Sequence, residues 1–383
     1  MKIFNRVLAS MLVVISVGCN NDIEVPSNEI DIPLDPSKHY IHFDAGITTR
    51  GALVEGNILM DDFAVLGYQY PGTWEAEKVL ASPNVFDTDP QIVTYDKVGG
   101  VFTYGTPKVW TGNKYSFFGV YPSSHENIKF FDGTIKQGEP YITYTLPDDN
   151  DPTHLIDVMT ASYIDTGVAS SASVPLEFHH RLSAIDVGAR NYYEYDHDNN
   201  KDTADKLVTI EITKLIVNLT NVVNTSAKIY LDHTIPSVYP ENQVKASKVY
   251  AMVNANTPWA VQTFDVEPNT KEDRAIRLVT KQTGENASSI MLIPQTEFLH
   301  GALELVYKKK YQDDNGNWVY LHEGNNTEDF EFAPTDLNIN FSKQLIEGRR
   351  YYIELTFTSD AVSVNIIAAD EWDDKDDIRH EFE

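Results

Sequence analysis

From residue 39 onward, apolar and polar positions alternate with a period of two, the spacing that sends neighbouring side chains to opposite faces of a β-strand. The stretch KYSFFGVYP places Tyr115, Phe117 and Tyr121 on one face and Phe118 and Val120 on the other. In YYIELTF, Tyr351, Ile353, Leu355 and Phe357 alternate with Tyr352, Glu354 and Thr356, which predicts a strand with one buried face. Val362, Val364 and Ile366 resume the alternation beyond Ser359-Asp360-Ala361, so residues 349–368 read as a hairpin. Within VTIEITKLIVNLT the apolar phase runs through Val208, Ile210 and Ile212 and then shifts to Leu215, Val217 and Leu219. A one-residue shift inside a strand predicts a bulge near Thr213-Lys214.

Further strands are expected at 40–45, 62–70, 91–95, 101–110, 141–146, 157–164, 176–190, 228–231, 249–253, 288–293 and 301–311. Turn dipeptides such as Pro71-Gly72, Asp132-Gly133 and Asn315-Gly316 separate many of them. No stretch longer than about ten residues keeps helical spacing with capping residues. Short strands at regular intervals with few helices predict an all-β protein built of sandwiches. The small polar run Ser170-Ser171-Ala172-Ser173 suggests a boundary near residue 173, dividing the chain into sandwiches over 39–173 and 174–372.

The first eighteen residues depart from this pattern. Lys2 and Arg6 precede a short apolar run, Val7 to Val17, and Gly18 stands directly before Cys19. The run is shorter than the roughly 20 residues a membrane span needs and suits a secretory signal. Cys19 is the only cysteine in 383 residues, so disulfides and thiol catalysis are excluded from the folded part. A small residue before a cysteine at the end of such a run resembles the lipobox of bacterial lipoproteins, although Ser16 stands where that motif usually has Leu, Val or Ile. The resemblance implies cleavage between Gly18 and Cys19 and acylation of Cys19 with chains such as palmitate. An ordinary secretory signal with a chance cysteine is the competing reading. Residues 19–38 hold five acids and three prolines without periodicity, which is the composition of a tether.

Charge narrows the partners. The formal net charge is −27, and loss of Lys2 and Arg6 with the signal makes it −29, which disfavours nucleic acid and anionic surfaces. Asp196, Asp198, Asn200 and Asp202 begin like a calcium loop, but Lys201 and Leu207 stand where such a loop needs Gly and Glu, leaving a weak candidate beside a plain solvated loop. His39 and His42, and the adjacent His179 and His180, fall on opposite strand faces, which argues against structural zinc. No phosphate loop, nucleophile elbow or HExxH motif is present, and no cofactor is expected. With 21 Tyr and 5 Trp, aromatics could form sugar-binding platforms, or serve as ordinary strand formers.

Several stretches, in order, resemble the fimbrillin family, the Mfa-like lipoproteins and pilins of type V pili. They are TTRG (48–51), DDFAVLGYQY (61–70), YSFFGVYP (115–122), DVMTA (157–161), LEFHHRLSAIDV (176–187), GRRYYIEL (348–355) and ADEW (369–372). The resemblance implies two transthyretin-like Greek-key β-sandwich domains in tandem. It implies a non-enzymatic surface lipoprotein of the cell outer membrane that joins other fimbrial subunits by donor-strand exchange and supports adhesion to host or bacterial surface ligands. It also implies protease cleavage after an arginine near the first strand, which here falls on Arg50 with Gly51 as the new N-terminus; a plain surface arginine is the other reading. The tail 373–383, DDKDDIRHEFE, departs from the pattern, because burying unpaired carboxylates in an apolar groove is costly. An anchor or accessory subunit therefore fits better than a shaft pilin. The alternative function is a surface glycan-binding lipoprotein of a nutrient-uptake system, and a secreted hydrolase is a weaker third.

Overall fold

A computed structural model describes residues 38–47, 61–131, 137–166, 173–191, 208–234, 238–240, 245–253, 259–262, 289–295, 301–312, 315–320, 330–331, 345–357 and 362–368. The chain divides into two units, 1–38 and 39–383, and the strands among the described residues belong to the second. Its first half contributes β1 (Phe43–Ile47), β2 (Phe63–Tyr70), β3 (Gln91–Asp96), β4 (Val101–Tyr104), β5 (Lys114–Tyr121), β6 (Ile128–Phe130), β7 (Tyr141–Thr145), β8 (Met159–Thr166) and β9 (Val174–His180). There follow β10 (Ser183–Asn191), β11 (Val208–Asn224), β12 (Ser226–Tyr230), β13 (Val238–Pro240), β14 (Lys245–Val253), β15 (Trp259–Gln262) and β16 (Ile290–Leu292). The series ends with β17 (Ala302–Gln312), β18 (Trp318–Tyr320), β19 (Phe330–Glu331), β20 (Arg350–Phe357) and β21 (Val362–Ala368). Among the described residues, helix is limited to α1 (Trp74–Glu77) and a 3₁₀ turn at Pro152–His154. The all-β expectation holds.

The largest sheet has seven strands in the order β1-β9-β8-β5-β2-β3-β4. It curls until its two edges meet: the Tyr104 hydroxyl on β4 donates to the Ile41 carbonyl beside β1 at 2.7 Å. Inside the curl lie Phe43, Phe63, Val65, Tyr115, Phe117 and Phe178 with their neighbours. Alternation along β2 and β5 sends Leu66, Tyr68, Phe118 and Val120 the other way, into a second core shared with the remaining sheets. Both central strands are therefore covered on both faces, and the two-sided reading of KYSFFGVYP is borne out. Gly119 is what lets the Phe178 ring approach β5 closely, since a Cβ there would stand 2.8 Å from the ring's Cζ.

Three smaller sheets enclose the second core: β16-β10-β20-β21, then β14-β11-β17-β18 with β15 and β19 attached, and β13-β12-β7-β6. The β20–β21 hairpin pairs Tyr351 with Ala368 through Phe357 with Val362, as the alternation required. The register of β11 against β17 slips between Ile212 and Lys214, where the phase shift places a bulge. Two expectations need correction. Residues 176–190 are two strands in different sheets, broken at Arg181-Leu182, because Arg181 turns inward to a partner far along the chain. Within 101–110 only Val101–Tyr104 forms a strand; Lys108 and Trp110 instead exchange backbone hydrogen bonds with Ile41 and His39.

Candidate functional site: an edge strand in an aromatic groove

The sequence YIHFDAGI alternates, and the chain buries Ile41, Phe43 and Ala45 while leaving His42 and Asp44 exposed. β1 is an edge strand, paired in parallel with β9 from Phe43 opposite Val174 to Ile47 opposite Phe178. At its start the Val174 amide donates to the His42 carbonyl at 2.7 Å, and the Ile41 amide donates to the Lys108 carbonyl at 2.8 Å. Asp44 on the outer face accepts a hydrogen bond from the Ser173 hydroxyl. Beyond β1, β9 has little ladder support, since β8 pairs with it only at His179 and His180. An empty first position would leave the N–H and C=O groups of β9 without their sheet partners, the situation that invites another strand.

The inner face is built around one ring. Phe43 sits edge-on to Phe63 at 6.2 Å, Tyr104 at 5.7 Å and Phe117 at 5.4 Å, and lies 6.3 Å from Phe86. Such edge-to-face contacts add about 0.5–1.5 kcal/mol each beyond area burial. Two residues on, the buried side chain is only the methyl of Ala45. The groove thus takes one aromatic ring and one small group at alternate positions, with a backbone ladder alongside. Burial pushes the Tyr104 phenol up to about 12, which keeps its hydroxyl a donor to Ile41 at neutral pH.

A second cluster forms the turn from β9 into β10. Arg181, almost fully buried, pairs with Glu347 at 2.7 Å and donates to the Tyr230 carbonyl at 3.2 Å. His180 meets Asp157 at 2.7 Å, and His233 meets the Thr160 hydroxyl at 2.8 Å. Burial, with the nearby Arg181 and His179, pushes His233 down to about 2, so the ring is neutral. Gly348 at φ 66° brings the Glu347 turn against this corner, where a Cβ would lie 3.1 Å from the His180 carbonyl. Trp74 ties in α1, its indole N–H donating to Asp232 at 2.8 Å and its amide to Asp165 at 2.7 Å. These are joints between strands: among the described residues no group of His, Cys, Asp and Glu is arranged to hold a metal ion.

Gly18, Cys19, Arg50, Gly51 and the calcium candidate Asp196, Asp198, Asn200 and Asp202 all lie outside the described residues. His39 and His42 are both exposed, whereas His179 and His180 separate to opposite faces, His179 packing on His233 and His180 on Asp157. Phe43, Tyr104 and the Arg181–Glu347 pair escape sequence reasoning. The alternation around Phe43 signals a strand, but nothing local tells which strand it joins. No helix among the described residues is long and apolar enough to cross a membrane.

A family model described as fimbrillin-like matches residues 59–370. A fimbrial protein from Bacteroides vulgatus superposes with a TM-score of 0.54 at 16% identity, covering 86% of this chain and 98% of that one. A candidate cell adhesion protein from Bacteroides uniformis gives a TM-score of 0.43 at 14% identity over 88% of this chain and 100% of the other. For a fimbrial assembly protein from Parabacteroides distasonis the values are 0.32 and 10%, over 86% and 99%. No curated protein matches the sequence.

Proposed function

The chain belongs to the fimbrillin-like family, and on that premise we propose that it is a non-enzymatic fimbrial subunit whose first strand is exchangeable. Cys19 carries the acyl chains that hold it on the outer membrane, and residues 20–38 form the tether. Cleavage between Arg50 and Gly51 releases β1, and a strand from another subunit takes its place. The protein consists of two transthyretin-like modules divided near residue 173, with β6 and β7 from before that point completing a sheet with β12 and β13 from after it. The uncut form, still joined to the acyl chains on Cys19, serves as an anchor, and the cut form, which leaves them behind, as an accessory subunit, since residues 373–383 are too acidic to make a good donor strand. The observation that carries this reading is β1 itself, an edge strand that plugs an aromatic groove with a single ring and supplies most of the ladder of β9. Replacement of one strand by another of the same alternation is β-augmentation, in which the ladder gives affinity and the pockets give specificity.

Fractionation of cells tests the assignment. The uncut wild-type protein is expected in washed membranes with an acylated Cys19, and the processed form, which has lost that lipid, in detergent-resistant assemblies with Gly51 as its N-terminus. Cys19→Ser is expected to move the uncut protein to the soluble fraction, since several acyl chains at about 0.8 kcal/mol per methylene are what retain it. Strand-exchanged subunits are expected to run as detergent-resistant ladders on gels, and Arg50→Ala is expected to abolish the Gly51 terminus and those ladders together. Ladders that persist undiminished in Arg50→Ala would overturn the exchange.

A further inference from the structure

The outer face of the β13-β12-β7-β6 sheet carries a charge arrangement at odds with the rest of the molecule. Ile142, Tyr144, Ala227 and Ile229 point into the core, so the alternate residues of β7 and β12 face outward. The register sets Lys129, Thr143 and Lys228 directly across from one another on β6, β7 and β12. Tyr141 opposite Tyr230 forms the neighbouring row on one side, and Thr145 opposite Ser226 the row on the other. The Lys228 ammonium stands 3.6 Å from the Tyr141 ring centroid and 5.0 Å from that of Tyr230, which fixes it by cation–π attraction on the sheet face. Among the described residues neither Lys129 nor Lys228 meets a carboxylate, although acids outnumber bases 57 to 30. Strand spacing sets the two lysines about 10 Å apart with a hydroxyl between them.

We propose that this face binds an extended anionic polysaccharide of the polyuronide class. Successive carboxylates along such a polymer meet the two lysines, sugar hydroxyls bond to Thr143, Thr145 and Ser226, and the tyrosine pair borders the track. A face of hydroxyls with two cations that meet no carboxylate among the described residues suits an extended, hydroxyl-rich polyanion. A folded protein partner would need roughly 800 Å² of complementary surface with an apolar centre, which a Thr, Ser and Lys face does not offer. The rival occupant is the chain's own acidic segment, residues 373–383.

Affinity electrophoresis of the mature chain through gels containing polygalacturonate or neutral dextran, at about 0.15 M salt to screen the overall charge, tests this. Polygalacturonate is expected to retard the protein and dextran to leave it unaffected. Lys228→Glu and Lys129→Glu are each expected to weaken the retardation at least tenfold, the pair together to abolish it, and Lys228→Arg to keep it, all while retaining a cooperative melting transition, lowered slightly where Lys228→Glu gives up its contact with the Tyr141 ring. Equal retardation of the double variant, or none of the wild type, would overturn the proposal. So would retardation that appears only after deletion of residues 373–383, which would make the acidic segment the occupant.

Discussion

Phe43→Ala is expected to lower the free energy of unfolding by about 3–5 kcal/mol, read as a fall in the midpoint of a guanidinium titration at unchanged slope. The ring is 3% exposed and touches four other aromatic side chains, so alanine leaves a void walled by rings. Collapse of that void is resisted because Phe63 and Phe117 sit on the two central strands, which are packed from both faces. Phe43→Leu is expected to cost much less, and His42→Ala on the exposed face to stay within about 0.5 kcal/mol. If Phe43→Ala and His42→Ala titrate alike, β1 is not held by its ring.

Arg181→Met is expected to destabilise by a similar amount, about 3–5 kcal/mol, for a different reason. Arg181 is 4% exposed, and its guanidinium links the β9–β10 corner to Glu347 before β20 and to the Tyr230 carbonyl at the end of β12. Methionine fills much of the space but takes the Arg181 guanidinium away from the Glu347 carboxylate. Adding Glu347→Gln is expected to recover part of the loss, because the side chain that has lost its Arg181 partner is then neutral. A double-mutant cycle on the two positions measures the coupling; additive effects would mean that the pair does not join these segments.

Alternation is local, and where local pattern decided the outcome the sequence could be read. The β20–β21 hairpin and the slip near Thr213-Lys214 follow from which neighbouring residues are apolar. The break at Arg181-Leu182 could not be read that way. Leu176, Phe178, Leu182 and Ala184 keep one apolar phase across the break, the shift to Ile185 and Val187 comes only beyond it, and what turns the chain from one sheet to another is a buried arginine whose partner lies more than 160 residues on. The groove was half legible: YIHFDA declares a strand with one buried face, but its parallel pairing with residues 174–178 and the four rings around Phe43 come from segments scattered over the chain. The same holds for Lys228, an ordinary strand lysine until the register sets it over Tyr141 and across from Thr143.

The central claim is that β1 is a replaceable plug, and a strand-capture measurement tests it most directly. A chain beginning at Gly51 is mixed with a labelled peptide of residues 38–47 and with the same peptide carrying Phe43→Ala. The account predicts a stable one-to-one complex with the first, a rise in melting temperature on binding, and at least tenfold weaker capture of the second. Equal capture of both peptides, or a chain from Gly51 that melts like the full-length protein and ignores the peptide, would contradict it.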